Sequence, residues 1–326
     1  MSTDLGTLVS VERRRLLELA EETGFRPETL EKVVRLGELA RDISIHPLLG
    51  RVLLLKGGTA LNLCFGTPRR LSVDLDFNFV GARDRDEMVA AKAEIERAIK
   101  TVVQALGYPV QWSAEAHAGR KAYLAYRNAI GARDRIELDL NFLFRVPIAE
   151  PRTANLWQPD GSVVEVRIVS PAELCTGKLC AALDRALPRD LFDLALVPSI
   201  LGSLWGDRRF RRLFVAHAGV LDRALTEYGA ARFQHLSDVV VSAQLHPMLT
   251  STNRPTADDL RRDALAVLTP LLDLDAAERE FSERLQRGDL RPDLLFPDDP
   301  KTGEILRSHP ALRWKSENAA GRVTRR

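Results

Sequence analysis

The sequence predicts a mixed α+β chain in two lobes, on the strength of three observations. Between about residues 51 and 169, short apolar or alternating runs recur with helical stretches set between them, as in a sheet with helices inserted. From 171 onward the chain reads as mostly helical. At 326 residues there is ample chain for two cores. The expected organisation is N-terminal helices over 1–45 packing on the core, a sheet-bearing core over 46–170, and a helical lobe over 171–326.

The elements follow in order. Residues 8–22 and 28–43 read as amphipathic helices, the second opening after Arg26-Pro27. Strands are expected at 51–55, 72–80, 121–127, 133–142 and 163–169, with helices near 59–65 and 85–106. Pro/Gly-rich loops near 145–161 and 288–303 carry Trp157 and Phe296, so they are expected to pack down rather than act as linkers. Ser170-Pro171-Ala172-Glu173 opens a helix, with serine as N-cap, proline at the first helical position and glutamate completing a capping box. Pro188 ends or kinks that helix and starts another. The sequence shows no internal repeat.

The richest stretch is 56–77, KGGTALNLCFGTPRRLSVDLDF. Gly57 and Gly58 fall where a short buried strand gives way to a helix beginning at Thr59, and free backbone N–H groups at such a junction favour a phosphate. Asp74 and Asp76, two apart on a strand, project from one face and suit a hard cation, while Val73, Leu75 and Phe77 point to the core. The two aspartates interrupt an otherwise apolar string, 71–79, where unpaired carboxylates carry a desolvation cost. Either feature alone is commonplace as a turn or a solvated strand end; the combination points to chemistry on a nucleoside triphosphate.

Further along, 135–142 alternates strictly, with Ile136, Leu138, Leu140 and Phe142 on one face and Arg135, Glu137, Asp139 and Asn141 on the other. Glu137 fits a wet polar face. For Asp139, periodicity leaves a third metal carboxylate and a solvated residue equally open, because it does not say which strands are neighbours. On the helix after Ser170, Lys178, Ala182 and Arg185 share a face, and Asp190 and Asp193 share a face of the segment after Pro188. Periodicity alone favours a solvated basic face and a local ion-pair set there.

KGGTAL followed by R-L-S-V-D-L-D-F resembles the AbiEii/AbiGii group of toxin nucleotidyltransferases within the polymerase-β-type superfamily, a group that includes the mycobacterial MenT-type enzymes. The string K-L-x-A-A-L-x-R-x-x-P-R-D-x-x-D-L at 178–194 is similar to that group's second hallmark motif, and 296–315, with HPAL-x-W-K, is similar to its C-terminal segment. The resemblance covers about 40–318 and implies a polymerase-β-like core with a short mixed sheet and nucleotide bound between lobes. It implies two Mg²⁺ ions on Asp74 and Asp76, with Asp139 as a third carboxylate. Phosphate contacts would come from Lys56, Gly57, Gly58, Thr59, Ser72, Lys178 and Arg185, and Asp193, with Asp190 as neighbour, is a catalytic-site carboxylate. Asp193 or Asp139 would accept the acceptor's proton. The implied acceptor is a tRNA 3′ end, and the implied partner an AbiEi-like antitoxin in a toxin–antitoxin or phage-defence pair. The superfamily's usual Gly-Ser pair is Gly57-Gly58 here, leaving Thr59 to supply any hydroxyl.

Composition neither adds to this nor opposes it. Net charge is +2, so no global field selects nucleic acid, although 207–212 and 322–326 are local basic clusters able to grip an RNA backbone. Three cysteines without zinc-ligand spacing suit buried thiols in a reducing cytoplasm; MSTDLGTLVSVERRR does not read as a signal peptide, and no membrane-spanning run is expected. Two other classes stay open: transfer to a protein or a small molecule such as an aminoglycoside, by nucleotidyl or phosphoryl transfer, and a binding protein that keeps the fold without the chemistry.

Overall fold

The computed structural model describes residues 13–116 and 118–323, and these divide into two compact units. One runs to Arg145 and takes in Pro151–Val169 and His246–Arg254; the other contains Val146–Glu150, Ser170–Leu245 and the chain from Pro255. The start of the expected first helix, 8–12, and the end of the basic tail, 324–326, lie outside the described residues.

In the first unit, α1 (Arg13–Thr23) and α2 (Pro27–Ile45) precede a short α3 (Leu49–Val52). There follow β1 (Leu53–Lys56), α4 (Gly57–Leu63), β2 (Asp74–Phe79), α5 (Arg85–Ala105), β3 (Val110–Trp112), β4 (Gly119–Arg127), β5 (Arg133–Asn141), β6 (Arg152–Leu156) and β7 (Val164–Ile168). The strands make one seven-stranded mixed sheet in the order β3-β4-β5-β2-β1-β7-β6. Its centre is β5-β2-β1: β2 runs parallel to β5 and antiparallel to β1, and β1 runs parallel to β7. Alternation in β2 buries Leu75, Phe77 and Phe79 and leaves Asp74, Asp76 and Asn78 on the other face. Phe79 stacks on Phe142 with ring centroids 5.4 Å apart, which anchors the apolar side of β2 in the core. The helix α2 packs on β7 and β2 and buries Leu30, Val33, Leu36 and Ala40 among others.

The second unit is helical: α6 (Pro171–Arg185), α7 (Pro188–Leu194), α8 (Val197–Leu201), α9 (Arg208–Ala218), α10 (Asp238–Gln244), α11 (Ala257–Leu272), α12 (Ala276–Gln286), α13 (Pro300–Ser308) and α14 (Pro310–Val323). Its core joins α6 to α7 and α9, and α7 to α11. Ala186 closes α6 in the left-handed region, at φ 52°, and Pro188 opens α7 at its first turn. The HPAL-x-W-K element serves packing: His309 and Leu312 are buried, and the buried Lys315 donates to the carbonyl of Leu221 at 2.6 Å.

Several local expectations need correction. Residues 51 and 52 are helical, so β1 begins two residues late, and Val73 is half-buried just ahead of β2 rather than a core strand residue. Two short strands, β3 and β6, had no readable alternation; β6 lies within the expected loop 145–161 and pairs with β7 as a sheet edge. Glu173 does not complete a capping box. Ser170 accepts from its N–H, but the glutamate's carboxylate accepts from the N–H groups of Ile148 and Ala149 instead. Burial raises the pKa of Glu173 despite those two donors and the Ser170 hydroxyl.

Candidate active site

The parallel register of β2 on β5 sets Asp74 opposite Glu137 and Asp76 opposite Asp139. Directly paired residues on neighbouring strands project from the same face, so one alternating polar row from each strand makes a four-carboxylate patch. The antiparallel register on the other side sets Lys56 beside Asp76, and β4 sets Lys121 beside Asp139. At this level the sheet therefore carries lysine, aspartate, aspartate, lysine across four adjacent strands. The Lys121 ammonium is 3.2 Å from Asp139 and donates a hydrogen bond to Glu137. Burial works against that ammonium, but the bond to Glu137 and the charge of Asp139 outweigh it and raise its pKa.

The strand-to-helix junction is built around Asp76. Gly57 has φ 71°, and a Cβ there would collide with the Asp76 carboxylate, so only glycine allows this approach. A Cβ on Gly58 would stand 2.8 Å from an Arg70 Nη and 3.0 Å from the Ser72 hydroxyl, both on buried residues. Thr59 is buried, and its hydroxyl donates to the backbone carbonyl of Asp74, tying α4 to the start of β2. What Thr59 offers a phosphate is then its backbone N–H, one of the first-turn donors that lack an intrahelical acceptor. The segment 246–254 buttresses this corner: Leu71 donates its N–H to Met248 O at 2.8 Å, and an Arg70 Nη lies 3.8 Å from the Met248 sulfur.

The second motif folds into a buried charged set. Lys178 is 3.0 Å from Asp190 and 2.8 Å from Asp193, and both carboxylates are fully buried. Arg185 also reaches Asp190, with bonds of 2.9 and 3.1 Å. The two helical faces recognised in the sequence thus meet as an ion-pair set, not as a solvated basic face. Part of the 207–212 cluster is also engaged in ion pairs. Arg211 makes two 2.9 Å bonds to the buried Glu278, Arg209 is 2.6 Å from Asp299, and Arg208 is 3.6 Å from Asp275. Arg211 ties α9 to α12, whereas Arg208 and Arg209 stay largely exposed beside their partners.

A divalent ion fits the residues at β2. Asp74 and Asp76 are half-exposed hard oxygen donors on one face, with Asp139 on the adjacent strand. Among the described residues no three His, Cys, Asp or Glu side chains are gathered as a ready-made cation site. Sequence reasoning missed Lys121, whose place beside Asp139 depends on strand order.

The family model described as "Nucleotidyl transferase AbiEii toxin, Type IV TA system" matches residues 39–314. Among solved structures, the chain is similar to MenT4, a nucleotidyltransferase toxin from Mycobacterium tuberculosis H37Rv, at 20% identity and a TM-score of 0.54, covering 93% of this chain and 100% of that one. An H. pylori protein described as a nucleotidyltransferase aligns at 16% identity and a TM-score of 0.40, over 90% and 95% of the two chains. No curated protein matches the sequence.

Proposed function

This chain belongs to the AbiEii nucleotidyltransferase toxins of type IV toxin–antitoxin systems, and on that footing we propose that it is a Mg²⁺-dependent enzyme transferring a nucleotide from a nucleoside triphosphate to the 3′ end of a tRNA. The observation that carries the metal and nucleotide part is the register of Asp76 with Asp139, one step along from Asp74, beside the Gly57-Gly58 junction. Asp74 and Asp76 would hold the ion, with Asp139 as third carboxylate. When bound there, a divalent ion lowers the pKa of the attacking hydroxyl and neutralises charge building on the pyrophosphate. The N–H groups opening α4 hold phosphate oxygens from the backbone side, with Lys56 alongside. Asp139 is partly exposed where Asp193 is fully buried, which favours Asp139 as the carboxylate that takes the acceptor's proton. Asp193 and Asp190 hold the Lys178 ammonium inside the helical unit, so the triphosphate role of Lys178 and the catalytic role of Asp193 rest on the motif alone.

The tRNA acceptor, the antitoxin partner of AbiEi type, a phage-defence setting and a cytoplasmic location belong to the same proposal and rest on family membership. The three free thiols, each pushed up to about 12 by burial, suit a reducing compartment, and no described helix is long and apolar enough to cross a membrane. The test incubates purified protein and Mg²⁺ with total bacterial tRNA and each α-³²P-labelled nucleoside triphosphate in turn, beside Asp74→Ala. Label is expected on tRNA with the wild type only. Label on protein, or none on any acceptor, would move the acceptor elsewhere, and label transferred by Asp74→Ala would remove the metal role.

A further inference from the structure

We propose that Lys121 is a built-in counter-cation of the metal site: it holds Asp139 while no divalent ion is bound, and so sets how tightly the ion binds before nucleotide arrives. The inference rests on the reading that Asp74 and Asp76 carry the ion. Its grounds are geometric. Asp76 and Asp139 are direct neighbours on parallel strands, where strand spacing is about 4.8 Å, so two like charges face each other across the pair. Lys121 is the direct cross-strand partner of Asp139 on the far side, and its ammonium bridges Asp139 and Glu137.

Three features separate this lysine from an ordinary surface ion pair. It has two acceptors on the same face, so it can release Asp139 and keep Glu137. Its side chain is 43% exposed, so the ammonium has room to move, whereas that of Lys178 is 7% exposed and pinned between two buried aspartates. Finally, an ion on Asp74, Asp76 and Asp139 meets a positive charge already seated on one of its three carboxylates. That repulsion weakens binding in the free enzyme, and the triphosphate's negative charge offsets it. Lys121 would thus couple metal binding to nucleotide binding, with Glu137 holding the displaced ammonium.

The test measures Mn²⁺ binding by electron paramagnetic resonance on the full chain, with and without a non-hydrolysable nucleoside triphosphate. Lys121→Met is expected to bind Mn²⁺ about tenfold tighter without nucleotide, the scale of one unit charge near a half-exposed site. The affinity gained on adding nucleotide should shrink, and Lys121→Arg should restore the wild-type pattern. Lys121→Gln serves as a second neutral variant should Lys121→Met fail to fold. Unchanged or weaker Mn²⁺ binding by the folded neutral variants would overturn the role of Lys121 alone, provided that wild-type binding disappears in Asp76→Asn. Wild-type protein that binds no Mn²⁺ even with nucleotide would overturn the metal site and this inference together.

Discussion

Gly57 shows how much one residue decides here. Its left-handed backbone costs a side-chain-bearing residue about 1–2 kcal/mol, and the Asp76 carboxylate occupies the space a Cβ would take. Gly57→Ala should therefore lower stability by about that amount and shift Asp76 as well. The expected outcome is nucleotide transfer reduced at least about tenfold in protein that still folds, since a small misplacement of a catalytic group costs far more in rate than in stability. Gly58→Ala is the comparison. Its backbone is not left-handed and its Cβ meets Arg70 and Ser72 rather than the Asp76 carboxylate, so its loss of activity should be smaller. Equal losses in the two variants, measured by initial rates and thermal melts, would contradict the importance given to the Asp76 approach.

Among the elements, the α6–α7 pair depends on a charge placed in its interior. Lys178 supplies the cation that Asp190 and Asp193 share, and truncating one member of a buried ion set costs about 3–5 kcal/mol. Lys178→Met should fall in this range in urea unfolding. Adding Asp193→Asn to it should recover part of the loss, because one uncompensated charge disappears. A Lys178→Met protein as stable as wild type would show that the carboxylates are satisfied without the lysine. The same logic governs α9, where Arg211 meets Glu278 at its buried carboxylate. Charge reversal at 208–212 therefore reports on folding before it reports on RNA.

For the molecule as a whole, pH sensitivity should come from buried histidine. Burial lowers the pKa of His217 to about 4 from an ordinary 6.5, and His309 lies near it with ring centroids 6.3 Å apart. Between those two values the unfolded chain binds the proton that the folded chain refuses, so stability is full above about 6.5 and is lost as pH falls toward 4. The contribution is about 3 kcal/mol at most. His217→Gln should flatten this acid dependence in urea melts at about pH 7 and about pH 5. An unchanged slope would place the acid sensitivity in other groups.

The sequence by itself determined the mixed class, the Gly-Gly turn before a two-carboxylate strand, and the grouping of Lys178 with Arg185 and of Asp190 with Asp193 on single helical faces, but not that those two faces meet. Each of these follows from local rules, namely the period of a strand, the period of a helix, and the preferences of glycine and proline. Strand order could not be read locally. That Asp139 lies beside Asp76, and Lys121 beside Asp139, follows only from β5 pairing with β2 in parallel register and β4 pairing with β5. The short edge strands β3 and β6 were missed because three to five residues carry too little periodicity, and the docking of 246–254 against Leu71 joins residues far apart in sequence. Local chemistry chose which residues are able to react; long-range pairing, set by burial of the sheet's apolar face, chose which of them meet.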